Sequence, residues 1–277
     1  MSVYERYEST SRHYDSTRVP IGVEVILGAL ATCGKPLAEV ALLDAGCGTG
    51  AYSGAVIDRV GCIAGIDLNP GMLKKARARL AAHERRGRIE LHQGNLEAMP
   101  FADARFDAAM INQVLHHLET GEDRAFPVHR RVLAEIHRVL RPGGVLVINT
   151  CSDRQLAEGF WYYDLIPEAA RAARRRAIAL ADLRAMLVDL GFSVRGRIVP
   201  LDEVMQGDAY FDPLGPLDPA WRAGDSIWAQ ATPDEIEAAE ARVRALAAAG
   251  EIEAYVSRHD AARATVGQFT FLVAGRP

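Results

Sequence analysis

The sequence predicts an α/β fold in which helices cover both faces of a seven-stranded, mostly parallel sheet that carries an inserted cap. Between residues 40 and 149, short apolar runs rich in β-branched residues alternate with segments of helical periodicity. Such alternation is typical of a parallel sheet wound with helices. After residue 149 it is interrupted by two stretches of unusual aromatic density, and these predict the cap.

The strands are predicted from short apolar runs bounded by turn residues. These runs are 41–45, 62–67, 89–93, 106–112 and 145–149, followed near the end of the chain by 192–199 and 269–274. Together they supply the strands of one sheet.

Helix boundaries are predicted from capping residues. Asn69 is a favoured N-cap residue, and Pro70 then occupies the first helical position. Thr232 and Glu235 have the spacing of a capping box, and Gly250 lies just beyond the end of that helix. These signals place one helix inside the sheet region and another inside the cap.

A further helix is predicted from apolar residues at helical spacing between 132 and 140. The tripeptide Pro142-Gly143-Gly144 is expected to stop it, because proline and glycine do not continue a helix.

The domain prediction divides the chain into six segments. They are N-terminal lid helices at 1–35, a core at 36–150, a cap insertion at 151–178, more core at 179–200, a second cap insertion at 201–266, and a last core strand at 267–277. The two insertions are interpreted as one substrate-facing cap.

Composition and charge exclude several classes of protein. With 49% hydrophobic and 25% charged residues, the chain has the composition of a globular protein. A net charge of -4 provides no broad positive field, so nucleic acid is not a predicted partner. No apolar run approaches the ~20 residues that span a bilayer, and the four cysteines are scattered. We therefore expect a cytoplasmic monomer or homodimer that acts on a small molecule and not at a membrane.

The most informative motif is a glycine-rich turn after the first predicted strand. The chain reads Asp44-Ala45-Gly46-Cys47-Gly48-Thr49-Gly50 before the next helix begins. Glycines in such a turn allow the backbone to approach a ligand closely. The same turn also occurs for purely structural reasons, so the neighbouring motifs decide its interpretation.

The next motif is an acidic residue at the end of the second predicted strand. Asp67 lies 21 residues after Gly46, a spacing that puts a carboxylate at the edge of the sheet where it can accept the hydroxyl protons of a ribose. The alternative is a helix-capping or surface aspartate, but Asn69 already supplies a cap.

Three more motifs complete the pattern: residues 93–101 after the third strand, Phe106-Asp107 at the start of the fourth, and residues 140–144 before the fifth. In this order and spacing, the motifs between residues 39 and 149 resemble the class I S-adenosylmethionine-dependent methyltransferases that act on small molecules. The resemblance implies a Rossmann-like core and S-adenosylmethionine as cofactor.

For the methionine and ribose portions of the cofactor, the resemblance implies a set of binding residues. Asp44, Gly46 and Gly48 would line the methionine portion, with Asp44 favouring its ammonium group. Asp67 would bind the ribose hydroxyls. Asn112 would lie where the methionine portion meets the substrate.

For the adenine, the resemblance implies contacts from two segments. Leu68 and Met72 would pack near the ring, and Leu96 would cover its face. Asn95 stands where the family commonly has an aspartate, and an asparagine carbonyl can accept the same hydrogen bond from the adenine amine.

Two further groups are candidates for the reaction itself. His117, preceded by His116, follows the fourth strand and is a candidate general base, although packing of the loop would also explain it. In related enzymes an N-terminal helix often closes over the cofactor, and Tyr14 and Arg18 fit that lid, against the alternative of a plain amphipathic helix. The expected chemistry is in-line methyl transfer, which requires neither a metal nor a covalent nucleophile.

Two alternatives remain open in the sequence. An NAD(P)-binding oxidoreductase would use a similar turn and acid, but the turn lacks the third glycine at the dinucleotide spacing and no second mononucleotide half follows. A non-catalytic S-adenosylmethionine-binding protein would retain the cofactor residues without the reaction.

Overall fold

The computed structural model describes residues 19–119 and 125–277. Within them the chain forms two compact units. The first, which we call the sheet unit, contains the described residues of 22–150 together with 178–198 and 270–277. The second, which we call the cap unit, contains residues 19–21, 151–177 and 199–269.

The sheet unit is built on a single sheet of seven strands in the order β3-β2-β1-β4-β5-β7-β6. Strands β1 to β5 pair in parallel, and β7 runs antiparallel to both β5 and β6. The strands are β1 Ala41–Ala45, β2 Cys62–Asp67, β3 Ile89–Gln93, β4 Phe106–Asn112, β5 Leu140–Thr150, β6 Ser193–Ile198 and β7 Thr270–Gly275. The predicted fold class, a Rossmann-like and mostly parallel seven-stranded sheet, is confirmed.

The α-helices of the described residues are numbered here in chain order. They are α1 Val23–Leu30, α2 Ala51–Val56, α3 Pro70–Arg85, α4 Pro127–Val139, α5 Asp153–Glu158, α6 Pro167–Arg176, α7 Leu180–Asp189, α8 Pro219–Arg222, α9 Pro233–Ala248, α10 Ile252–Asp260 and α11 Arg263–Val266. Helix α3 begins as predicted, since the Asn69 side chain accepts hydrogen bonds from the N–H groups of Gly71 and Met72.

Strand β5 is longer than the sequence predicted. The apolar stripe of α4 ends at Val139, but Pro142-Gly143-Gly144 lies inside the strand and does not act as a separating turn. The reason is pairing with the end of the chain. The Gly143 N–H donates to the carbonyl oxygen of Arg276 over 2.8 Å, and the Arg276 N–H donates to that of Gly144 over 2.9 Å.

The side chains of the sheet alternate between two faces. One face packs with α4 and α7 into a buried apolar cluster that includes Leu43, Ala45, Ile111 and Ile148. Residues that alternate with these along the strands point to the opposite face, and they include the polar residues Asp44, Asn112 and Asn149.

The cap unit has an aromatic core of its own. Trp161, Tyr162, Tyr210 and Trp228 are almost completely buried, and their rings meet one another or neighbouring aromatic rings, mostly edge to face. The sequence left open whether the cap aromatics line a pocket or fill a small core. These four fill the core, whereas Phe211 is 53% exposed.

One capping prediction for the cap unit is wrong in part. Thr232 caps α9 by accepting a hydrogen bond from the N–H of Glu235, as expected. The Glu235 carboxylate does not complete the capping box but accepts from the N–H groups of Glu168 and Ala169 over 2.7 and 3.3 Å. The first N–H groups of α6 have no partners within the helix, and the carboxylate accepts hydrogen bonds from two of them. Its negative charge also interacts favourably with the positive end of the helix dipole.

The segment predicted as a lid, residues 1–35, lies partly within the described residues, and residues 22–35 group with the sheet unit. Ile26 and Leu30 of α1 are buried, and the helix lies next to α2 and β5. Tyr14 and Arg18 lie outside the described residues. In the parts of the chain that are described, none of the helices combines the length and apolar character needed to cross a bilayer.

Candidate functional site

The glycine turn lies at the carboxyl end of β1 and is tied to the neighbouring strand. The N–H groups of Gly46 and Cys47 both donate to the carbonyl oxygen of Ile66, over 2.8 and 3.0 Å. Gly46 has φ 79°, and a Cβ there would lie 2.5 Å from a methyl group of Val114. Gly48 has φ 52°, but no other atom lies within 4 Å of its Cβ position. A side chain at position 46 would therefore collide with Val114, whereas the space beside the Gly48 α-carbon is open.

Asp67 lies directly against this turn. Its two carboxylate oxygens accept hydrogen bonds from the N–H groups of Gly48 and Asn69, each over 2.8 Å. Burial raises the pKa of Asp67, and these two hydrogen bonds oppose that rise. Each carboxylate oxygen keeps a further lone pair, so the group can still accept from the hydroxyls of a ligand.

Asp44 is the most deeply buried carboxyl group of the site. It is 1% exposed and accepts a hydrogen bond from the Ser53 hydroxyl over 2.7 Å. Burial raises its pKa to about 7, with the negative charge of Asp67 adding to the rise and Ser53 opposing it. A cation placed beside Asp44 would favour its ionised form.

The residues predicted to surround the adenine divide into two pairs. Leu68, 45% exposed, and Asn95 lie at the surface, and the Asn95 side-chain oxygen accepts from the N–H of Glu97 over 3.0 Å. Met72 and Leu96 are buried, and Leu96 belongs to the apolar cluster below the sheet. Leu68 and Asn95 are thus available to a ligand, whereas the Leu96 side chain packs in the apolar cluster and anchors the loop that follows β3.

Asn112 ends β4 with an unsatisfied amide. Its side chain is buried, yet neither the amide oxygen nor the amide nitrogen has a hydrogen-bond partner among the residues that the structure describes. A buried polar group without a partner loses its hydrogen bonds to water and forms none in the protein, which costs free energy. Native structures therefore contain few such groups. This amide is therefore a strong candidate for contact with a ligand.

His116 and His117 lie in a short 3₁₀ turn, Leu115–His117, that follows β4. Both are half-buried, and their ring centroids are 3.9 Å apart. The turn is held by a hydrogen bond from the His117 N–H to the carbonyl oxygen of Val114. The role of His117 as a base stays a prediction.

Cys47 occupies the turn without showing the properties of a reactive thiol. Burial raises the pKa of this thiol far above its ordinary range, and the charges of Asp44 and Asp67 raise it further. Its sulfur lies 3.0 Å from the position that a Cβ on Gly65 would take. Cys47 therefore acts as a small packing residue between two strands.

Comparison with known proteins identifies the sheet unit. Residues 43–148 match the family model described as a methyltransferase domain. This region therefore has the sequence of a methyltransferase domain, in agreement with the resemblance of its motifs to the class I methyltransferases. The matched segment runs from β1 into β5 and so includes Asp44, the glycine turn, Asp67 and Asn112.

Two curated methyltransferases each match less than half of this chain. A malonyl-[acyl-carrier protein] O-methyltransferase of Serratia marcescens is 38% identical over 117 residues, covering 42% of this chain and 40% of the relative. A demethylmenaquinone methyltransferase of Desulfitobacterium hafniense is 33% identical over 128 residues, covering 44% and 47%. The chain thus spans less than half the length of these relatives.

A solved structure resembles nearly the whole chain. It is a putative methyltransferase from an antibiotic biosynthesis pathway of Anabaena variabilis, with a TM-score of 0.73 and 21% identity, covering 93% of this chain and 98% of the other. At this identity the likeness shows a shared fold.

The sheet unit contains three residues at the candidate site that the sequence analysis missed: Tyr52, Gln113 and Asn149. Asn149 Nδ2 donates to the Tyr52 hydroxyl over 2.9 Å, and Gln113 Nε2 donates to Asn149 Oδ1 over 2.7 Å. One signal was available, because Asn149 is a polar residue at the carboxyl end of an otherwise apolar run. Ser53 gave no such signal, since a serine in the first turn of a helix is common.

Proposed function

We propose that this protein transfers a methyl group from S-adenosylmethionine to a small-molecule acceptor by in-line displacement. The observation that carries the proposal is the grouping of Asp44, Asp67 and the Asn112 amide at the carboxyl ends of three adjacent strands, beside the open Gly48 position. Within residues 19–119 and 125–277, the Asn112 amide has no hydrogen-bond partner. In open α/β sheets, ligands bind at the carboxyl ends of the strands.

The chemistry of these groups fits the parts of the cofactor. Asp44 offers a negative charge to the ammonium group of the methionine portion, and Asp67 offers acceptors to the ribose hydroxyls. Exposed Leu68 supplies an apolar surface for the adenine, and Asn95 supplies an acceptor at its edge. The open space above Gly48 allows the ligand to approach the backbone.

The main contribution of the protein's own residues would be to position the cofactor and the acceptor relative to each other. When bound, S-adenosylmethionine supplies a methyl group that its sulfonium already activates. Holding the acceptor in line with that methyl group and excluding water can contribute about 7–11 kcal/mol. His117 would take the proton that a hydroxyl or ammonium acceptor loses, and Tyr14 and Arg18 would cover the methionine portion.

The names of the relatives support the reaction more than any one acceptor. One is named for malonyl-[acyl-carrier protein] and the other for demethylmenaquinone, so they share the transfer of a methyl group and not the acceptor. We therefore limit the proposal to a small molecule. A cytoplasmic location, the monomer or homodimer state and the exclusion of nucleic acid remain predictions from the sequence.

Calorimetric titration of the full chain tests the proposal against its alternatives. We expect S-adenosylmethionine and S-adenosylhomocysteine to bind and NAD to give no heat, whereas an oxidoreductase would bind NAD. Asp67→Ala should abolish measurable binding. Asp58→Ala, which removes an exposed carboxylate of the same domain, should bind like the original protein.

Catalysis requires a second measurement. A screen of small-molecule acceptors with methyl-labelled S-adenosylmethionine should show label transfer that Asp67→Ala abolishes. Binding without transfer to any acceptor would favour the non-catalytic alternative. No binding of S-adenosylmethionine at millimolar concentration would overturn the proposal.

A further inference from the structure

Two asparagines stand side by side at the carboxyl ends of β4 and β5, and only one of them is satisfied. Asn112 and Asn149 are register partners, and neighbouring strands lie about 4.8 Å apart. Both ends of the Asn149 amide are engaged, the oxygen by Gln113 and the nitrogen by Tyr52. Neither end of the Asn112 amide has a partner among the described residues.

The residue after Asn112 is held in an unusual backbone conformation. Gln113 has φ 56°, a left-handed value that residues other than glycine seldom adopt. Two hydrogen bonds to the same residue hold it there. The Gln113 N–H donates to the main-chain oxygen of Asn149 over 3.0 Å, and its side-chain amide donates to Asn149 Oδ1 over 2.7 Å. Strained backbone of this kind persists where its surroundings fix it, often at functional sites.

The third member, Tyr52, comes from the helix that follows the glycine turn. Its hydroxyl oxygen accepts a hydrogen bond from Asn149 Nδ2 over 2.9 Å, and Asn149 itself is fully buried. One amide therefore joins the end of β4, the end of β5 and the start of α2. We call Tyr52, Gln113 and Asn149 the amide clamp.

We infer that the amide clamp is a positioning device that fixes the Asn112 side chain for recognition of the amino-acid end of the cofactor. This inference rests on the proposed function. The clamp engages both ends of the Asn149 amide and sets the turn at Gln113. The Asn112 amide is thereby left to a ligand.

The chemistry of Asn112 suits that end of the ligand. An amide offers both donors and an acceptor, and the amino-acid end of S-adenosylmethionine carries a carboxylate and an ammonium group. Asp44, on the adjacent strand and the same face, carries the complementary negative charge. The clamp residues are positioning residues, which act through Asn112.

A pair of ligands separates this role from general stability. S-adenosylhomocysteine has the amino-acid end, whereas 5′-methylthioadenosine keeps the adenosine and the sulfur without it. We expect Asn149→Ala to lower the calorimetric affinity for S-adenosylhomocysteine about tenfold, as for loss of roughly one good hydrogen bond. Its affinity for 5′-methylthioadenosine should change by less than about twofold.

Two further variants keep the test decisive if Asn149→Ala folds poorly. Gln113→Gly tolerates the left-handed backbone but removes the side-chain hydrogen bond, and it should show the same ligand selectivity. Val145→Ala removes buried apolar volume in the middle of β5, four residues before Asn149, and should weaken both ligands equally or neither.

A double-variant cycle tests whether the clamp acts through Asn112. In an Asn112→Ala background, Asn149→Ala should have no further effect on S-adenosylhomocysteine affinity, because coupled residues are not additive. Additive losses, or equal losses for the two ligands, would overturn the clamp while leaving the proposed function intact. If the unaltered protein binds neither ligand, the proposed function itself fails.

Discussion

The two ends of β4 differ in how completely their polar side chains are satisfied. At the amino end, the buried Asp107 carboxylate accepts from Lys35 Nζ over 2.8 Å, from the Ala41 N–H over 3.0 Å and from the guanidinium of Arg141. At the carboxyl end, the Asn112 amide has no partner among the described residues.

The pKa values of the neighbouring carboxyl groups follow the same contrast. Burial raises the pKa of Asp107, but Lys35, Ala41 and Arg141 more than offset it, so the pKa lies below its ordinary value. Burial raises the pKa of Asp44 to about 7 and outweighs the hydrogen bonds from the side chain and main chain of Ser53, which lower it. Buried polar groups with hydrogen-bond partners stabilise a fold. Buried polar groups without partners at the carboxyl ends of the strands indicate a ligand site.

The largest expected effect is at Asp44. Asp44→Asn removes the charge that would meet the ligand's ammonium group, and S-adenosylmethionine affinity should fall about 100-fold, as for loss of a charged hydrogen bond. The same variant should raise the thermal unfolding midpoint of the unliganded protein, because a poorly compensated buried carboxylate is lost. Calorimetry and thermal melts would measure both, and an unchanged affinity would remove Asp44 from the site.

The matching variant at the other end should behave in the opposite way. Asp107→Asn weakens the ion pairs with Lys35 and Arg141, and we expect it to lower the free energy of unfolding by about 2 kcal/mol. Denaturant unfolding would measure this loss. The affinity for S-adenosylmethionine, measured where the variant is fully folded, should not change. A selective loss of affinity would contradict the purely structural role of this end.

The two carboxyl groups also predict opposite responses to pH. Asp107, with its lowered pKa, contributes stability above its unfolded-state pKa, and this is lost as the pH falls through its folded-state pKa. Asp44, whose pKa is raised to about 7, favours the folded state at low pH and loses that contribution as the pH rises through 7.

For ligand binding, the ionised form of Asp44 is the competent one. Affinity for S-adenosylmethionine should therefore fall up to about tenfold for each pH unit below 7. Titrations over a pH series would show this slope, and Asp44→Asn should flatten it. A slope that persists in the variant would assign the proton to another group.

The smallest predicted effect uses two glycines with similar backbones. Gly48 has φ 52° and Gly143 φ 83°, and neither has an atom within 4 Å of its Cβ position. Replacing either with alanine should cost about 1–2 kcal/mol of stability through left-handed strain. Only Gly48→Ala should also weaken S-adenosylmethionine binding, by about fivefold through crowding. Equal binding by both variants would mean that the space above Gly48 is not used.

The sequence predicted the parts of the molecule that depend on local patterns. The bounds of β1 to β4 follow from apolar runs ended by turn residues, and Asn69 follows from helix-capping chemistry. The glycine turn and Asp67 follow from a spacing that a βαβ unit imposes.

What the sequence missed depends on tertiary pairing. Pro142-Gly143-Gly144 looked like a turn outside the sheet, because the pairing of Gly143 and Gly144 with Arg276 is remote in sequence. The capping-box spacing at Glu235 was correct, but the side chain caps a different helix. The amide clamp joins residues as much as 97 positions apart, and only the register of β4 with β5 brings Asn112 and Asn149 together.

The most direct test of the account is a crystal structure of the protein with S-adenosylhomocysteine. We predict that the Asp67 carboxylate accepts hydrogen bonds from the ribose hydroxyls and that the Asn112 amide contacts the amino-acid end of the ligand, beside Asp44. A ligand bound elsewhere, with Asn112 still unpartnered, would contradict the claim that the unsatisfied end of the sheet is the functional one.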